Sequence, residues 1–248
     1  MLAAFFSEEN GMRILIKDNN RPIAVLYWDS AVIRKYNHHH DKLGRFASSD
    51  GGGGGRSLLE ALSSLSRHRP GDKVEITEQA IKKVPEKASE YLSDEENKAL
   101  HDMNVSVLTE SMENNNSNEV GKAFDGTEYS DPVFGDQYSV DIEADPKVFH
   151  MLVSGGNRSV IITHNHPGKS TFSARDLSLF LAYPSIKSLA AITNSGKSYH
   201  LVKTRDISED ERHEIFVYAR NISESHNEAE TVEMMIKRLY TIGIRYER

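Results

Sequence analysis

Two histidines one residue apart, His164 and His166, close an apolar run, Val160-Ile161-Ile162, and are followed by Pro167-Gly168. The run reads as a buried strand. On a strand, residues i and i+2 point to the same face, so both imidazoles can aim at one point. The Pro-Gly pair ends the strand. Ser173, with Asp176 three residues on and Leu177, Leu179, Phe180 and Leu181 after it, marks a helix start with Ser173 at the N-cap. The first turn of that helix brings Asp176 back toward the imidazoles. Two His and one carboxylate, with a water in the fourth place, make the ligand set of a catalytic zinc site. The bland alternative, two hydrogen-bonded histidines at a strand end, explains a lone His better than this constellation.

The same residues carry a resemblance. His164-Asn165-His166-Pro167 followed by Ser173-x-x-Asp176 resembles the signature of the JAMM/MPN+ metalloprotease family, also called JAB domains. The Asn between the histidines is similar to the RadC-like and phage branches of that family. The resemblance implies a zinc ion held by His164, His166 and Asp176, and Ser173 near the oxyanion. It also implies a general-base glutamate at the start of an early strand, roughly 45 residues before the first His. Glu119, opening Glu119-Val120-Gly121-Lys122-Ala123-Phe124, lies 45 residues before His164 (164 − 119) and takes that role. Glu128 and Glu143 are too close, and Glu143 stands at a helix entrance. Nine residues separate His166 from Asp176 where the family usually has ten, and the difference falls in the loop Gly168 to Phe172. The likeness covers Glu119 to Lys203, about a third of the chain. It implies hydrolysis of a peptide or isopeptide bond in a protein or peptide substrate, on a JAB/MPN-like mixed β-sheet flanked by helices.

A second reading stays open, that of a phage head or assembly protein in which a JAB-like domain is structural. The tract His40-Asp41-Lys42-Leu43-Gly44-Arg45-Phe46 is similar to a short segment in bacteriophage head and minor structural proteins, which implies a phage or prophage setting and phage structural proteins as partners. A structural zinc is closed by a fourth protein ligand. His150, His200 or another side chain could supply it.

The elements that position these groups belong to an α/β chain. Its 248 residues suffice for one good core or two small ones. A net charge of −7 disfavours sequence-independent binding of nucleic acid. With no cysteine, neither a disulfide framework nor a Cys-ligated zinc is available. Met1 to Phe6 is apolar but lacks the basic start of a signal peptide, and no apolar run approaches a membrane span. The chain therefore reads as cytoplasmic, or associated with a phage virion, with no membrane partner.

In order, residues 1–37 read as a small β-hairpin segment, with strands on either side of Asp18-Asn19-Asn20 and Pro22 at the entry of the second. Residues 38–57, with Gly51 to Gly55, read as a flexible Gly/Ser-rich linker, and the run His38-His39-His40 has no fixed geometry for a metal. A helical segment, 58–118, holds a helix at Leu58 to Arg67 and two more within Val84 to Met112, broken at an N-cap, Ser93. The metal-site domain, 119–205, carries strands at Val120 to Phe124, Gln137 to Ile142, Leu189 to Thr193 and Tyr199 to Val202, with a helix from Asp145-Pro146 to Gly155-Gly156. Two amphipathic C-terminal helices, Ser208 to Ser223 and Glu228 to Tyr240, fill 206–248. Their stripe Met234, Met235, Ile236 and Leu239 serves as core or as a homo-oligomer contact. Gly196-Lys197-Ser198 and Gly168-Lys169-Ser170 imitate the end of a P-loop, but Ala191 and Thr163 stand where its first glycine belongs. His213-Glu214 has Val217, not His, where a zinc helix needs its second ligand.

Overall fold

The computed structural model describes residues 73–223 and 225–248 and, between residues 2 and 47, the backbone of six strands. The chain divides into two compact units, Met1–Ala61 and Leu62–Arg248. In the first, β1 (Leu2–Phe6), β2 (Met12–Asp18), β3 (Arg21–Asp29) and β4 (Val32–Arg34) form an antiparallel sheet in that order. Asp18 pairs with Arg21 at the hairpin end of β2 and β3. A separate pair joins β5 (His39–His40) to β6 (Phe46–Ala47). The helix expected at Leu58 to Arg67 and the tract Gly51 to Gly55 lie outside the described residues.

The second unit is mixed α/β, a six-stranded sheet flanked by helices. Its strands are β7 (Val120–Phe124), β8 (Val133–Phe134), β9 (Val160–His166), β10 (Ile186–Thr193), β11 (Ser198–Lys203) and β12 (Ile244–Glu247), in the order β12-β11-β10-β9-β7-β8. Only β9 and β10 run parallel; every other neighbouring pair is antiparallel. A parallel pair needs a crossover, and α4 (Ala174–Ala182) supplies it.

Helix α1 (Glu78–Ile81) is a single turn, capped by Thr77. Helix α2 (Asp94–Asn114) starts at a capping box in which Ser93 accepts from Glu96 N–H while the Glu96 carboxylate takes Ser93 N–H. Its Leu100 and Met103 pack on Ile161, Ala190 and Val202, and its Val107 and Leu108 pack on Val120 and Ile192. That buries one face of the sheet. Helix α3 (Pro146–Ser154) begins as the Asp145-Pro146 pair dictates, with Asp145 accepting from the N–H groups of Lys147 and Val148. Helices α5 (Glu209–Ser223) and α6 (Glu228–Leu239) precede the left-handed Gly243 and β12. Among the described residues, no helix is long and apolar enough to cross a membrane.

Several elements differ from the sequence reading. Residues 84–92 form no helix. Pro85 disfavours helical geometry at Val84, and Asn97 instead ties the segment down by accepting from Ala88 and Ser89 N–H and donating to the carbonyls of Ser89 and Leu92. No strand forms at Gln137 to Ile142 despite its alternation. Asp136 captures the N–H groups of Tyr138 and Ser139 in an Asx turn, and Ile142–Ala144 winds into a 3-10 turn. Val133–Phe134 pairs with β7 in its place. The strand β12 was not expected, since Ile244-Arg245-Tyr246-Glu247 alternates over only four residues, too short a run to stand out behind the C-terminal helix.

Candidate metal centre

Every residue of β9 is buried. Thr163, facing α2, donates from its hydroxyl to Asn104 Oδ1 at 2.5 Å. Alternation therefore turns His164 and His166 to the other face, where α4 lies. Their Nε2 atoms are 2.8 Å apart.

Ser173 begins α4 as N-cap and Asp176 is its N3 residue, in a full capping box. Asp176 Oδ2 accepts from Ser173 N–H at 2.6 Å and from Ser173 Oγ at 2.8 Å. With that oxygen anchored, Oδ1 stands 3.2 Å from His164 Nε2, while Oδ2 is 3.4 Å from His166 Nε2. The local rule that starts the helix thus also aims the carboxylate. The nine-residue spacing of the loop does not prevent this approach.

One ligand atom from each of His164, His166 and Asp176 lies within 4.8 Å of the others, so these three side chains could hold a metal ion. The donor set fits a zinc-like ion. Tetrahedral bonds of about 2.0–2.1 Å place ligand atoms about 3.3 Å apart, close to the 2.8 and 3.2 Å edges here. His166 Nδ1 lies 3.3 Å from the Ser170 carbonyl. With an ion bound, donation there would leave the Nε2 lone pair facing the cluster, the outer-shell bond typical of ligating histidines; without one, Nε2 can carry the proton toward Asp176. Burial acts to raise the Asp176 carboxyl, but the His164 charge and the bonds from both imidazoles outweigh it and hold the group well below the usual carboxylate range.

Glu119 sits at the entrance of β7, two residues before Gly121, which pairs with His164. Its side chain is buried, 3% exposed. Burial pushes its carboxyl up from the ordinary 4.5 to about 8; Asp176 and Asp136 act in the same direction, while His166 and Arg175 oppose them. The charges of the cluster thus reach Glu119. The other two upstream glutamates are engaged elsewhere. Glu128 pairs with Lys147 at 2.9 Å on the surface, and Glu143 accepts from Tyr183 Oη at 2.9 Å.

The two histidines considered as a fourth ligand, His150 and His200, stand apart from this group. His150 Nδ1 contacts Ser154 Oγ along α3. His200 Nε2 contacts Ser198 Oγ at 2.6 Å, and burial holds His200 down to about 4. It pairs in register with Ala190, which pairs with Thr163, so it shares the α2 face of the sheet rather than the His164 face. His38 lies outside the described residues, and the side chains of His39 and His40 do as well.

Sequence reasoning missed two groups. Arg175 reaches Asp141 at 3.1 Å beside Asp176, and nothing in the local pattern marks it. Asn165, seen in the sequence only as the residue between the histidines, is fully buried with Asn194 and Ser111 and bonds to both. A polar residue inside a buried strand was the available signal. No family model, curated protein or solved structure matches the chain.

Proposed function

We propose that the chain is a zinc-dependent metallopeptidase, cutting a peptide or isopeptide bond in a protein or peptide substrate on a JAB/MPN-like fold. The observation that carries this reading is the convergence of His164 Nε2, His166 Nε2 and the Asp176 carboxylate at one buried point, with Glu119 buried within reach of the same charges. The resemblance of His164-Asn165-His166-Pro167 and Ser173-x-x-Asp176 to the JAMM signature supports it. Processing of a phage protein is the setting we propose, on the likeness of the His40 to Phe46 tract to phage head proteins.

When bound by these three side chains, zinc supplies Lewis acidity, polarising a carbonyl and making water acidic near neutral pH. The chain supplies the proton traffic and the alignment. Ionised Glu119 accepts a proton from the attacking water, and protonated Glu119 returns it to the departing amine nitrogen. Burial raises this carboxyl to about 8 in the metal-free chain and the charge of bound zinc would lower it from there, so both halves of that cycle are open to it. Ser173 Oγ now donates to Asp176 Oδ2; rotated away, the same hydroxyl donates to the oxyanion that forms on the substrate carbonyl.

The test is metal analysis of the purified chain together with cleavage profiling of a peptide and isopeptide library. Zinc near one per chain, with cleavage that Glu119→Gln abolishes while zinc stays, is the expected result. Zinc retained by a parent chain that cleaves nothing would turn the assignment toward the phage structural protein. A parent chain without zinc affinity would remove the hydrolase reading.

A further inference from the structure

Asn165 lies between the two histidines of the cluster on the opposite face of β9, and its bonds lead away from the metal side. Its Oδ1 accepts from Val120 N–H, next to Glu119, at 2.6 Å. Its Nδ2 faces Asn194 Oδ1 at 2.7 Å, the Asn118 carbonyl at 3.1 Å and Ser111 Oγ at 3.2 Å. Ser111 Oγ itself donates to the Asn118 carbonyl at 2.5 Å. Asn194 continues the chain of amides, with Nδ2 donating to the Ser117 carbonyl at 2.8 Å and to the Val74 carbonyl at 2.7 Å. Its backbone N–H donates to the His166 carbonyl at 3.0 Å. Both asparagines are fully buried.

The loop on which these bonds converge is strained. Asn116 and Ser117 are consecutive left-handed residues, φ 50° and 57°, and neither is glycine. Such backbone persists only where its surroundings hold it. Ser117 N–H donates to the Ser111 carbonyl at 2.7 Å, and Ile76 N–H donates to Ser117 Oγ at 3.1 Å. Lys73 Nζ donates to the Asn116 carbonyl and, at 3.1 Å, to Asn118 Oδ1, while Val74 N–H donates to the Pro167 carbonyl at 2.8 Å. The segment 73–76 therefore clasps from outside the two loops that the asparagines join from inside.

Two buried amides carry more donors and acceptors than they can exchange with each other, so the groups that take the remainder show what the pair holds together. Here the remaining bonds run from the histidine strand to Asn118 and Val120, the residues on either side of Glu119. We propose that Asn165 and Asn194 are positioning residues, locking the strained loop Asn115 to Asn118 to the end of β9 and so fixing Glu119 against the His164–His166–Asp176 cluster. The catalytic meaning of this arrangement rests on the hydrolase reading; the mechanical claim does not.

The test uses the full chain and three single variants, Ser111→Ala, Asn194→Ala and Asn165→Ala, of which Ser111→Ala removes one hydroxyl and the least volume. Zinc affinity is measured first. Amide exchange at Val120 and the Glu119 carboxyl titration, read by carbon NMR in chelator-treated protein and assigned against Glu119→Gln, follow. The expected result is zinc affinity within about threefold of the parent, with exchange at Val120 faster by about tenfold or more. The Glu119 titration moves from about 8 back toward its ordinary 4.5. Unchanged exchange and titration in all three variants would overturn the proposal, as would a loss of zinc as large as that of His166→Ala. Cleavage by the parent chain decides the hydrolase reading separately. Where it is seen, the variants lower kcat with KM little changed.

Discussion

Glu119 in the metal-free chain is a proton held by burial. Its folded-state carboxyl titrates at about 8 against an ordinary 4.5, so the folded chain binds a proton that the unfolded chain has released. Stability from this group is full below about pH 4.5 and falls as pH rises through 8. Chelator-treated protein should lose on the order of a few kcal/mol across that window in urea titrations, and Glu119→Gln should flatten the loss. Added zinc brings a positive charge to the cluster and shifts the same window downward. In turnover, Glu119→Gln should lower kcat by about 10²–10⁴-fold with zinc still bound. His166→Ala should lose both, since it removes one of three ligand atoms and the outer-shell bond to Ser170. Zinc content and cleavage rate, measured on the same preparations, separate the two variants.

The elements that carry these residues were legible to different degrees, and the difference is physical. Caps read well. Ser93, Asp145 and Ser173 begin helices because a side-chain oxygen satisfies orphan N–H groups whatever lies farther away in the chain. Ser93→Ala and Asp145→Ala should each destabilise the fold by about 1 kcal/mol in thermal or urea unfolding. The strand β9 and the convergence of its alternate histidines were equally readable, because period-two geometry is local. Distant partners decided the failures. The alternation of Tyr138, Val140 and Ile142 promised a strand, but Asp136 had already turned the backbone, and a Cβ on Gly135 would lie 2.2 Å from the Ser139 carbonyl oxygen. Asn165 and Asn194 could not be paired from sequence at all, since their bonds exist only once β7, β9 and the loop at Asn116 and Ser117 meet. Gly196 shows the same dependence. Its φ of +85° already favours glycine, and a Cβ there would lie 2.4 Å from the Ala80 carbonyl oxygen. Gly196→Ala should therefore cost about 1–3 kcal/mol in chemical denaturation.

At the scale of the whole unit, the helices on the two sheet faces divide the labour. On one face, α2 packs an apolar core; on the other, α4 meets β9 at the ligand cluster. On the proposed zinc reading, removing metal would leave the packing on the α2 side intact and take the bound ion's stabilisation only from the side of the cluster. Dialysis against a chelator should lower the melting temperature without abolishing cooperative unfolding, and zinc at 100 times its Kd should restore about 2.7 kcal/mol. Scanning calorimetry with and without zinc checks both statements. The crossover from β9 to β10 through α4 has a further consequence. All three candidate ligands leave the ribosome within one short stretch, 164 to 176, so an ion bound there would tie that loop shut at little entropic expense. Glu119, by contrast, stands at the entrance of β7, outside that stretch, and must be brought in by the rest of the sheet. On the hydrolase reading proposed above, the capacity to capture an ion and the capacity to use it would be separable inheritances of this chain, and damage to the second would leave the first untouched.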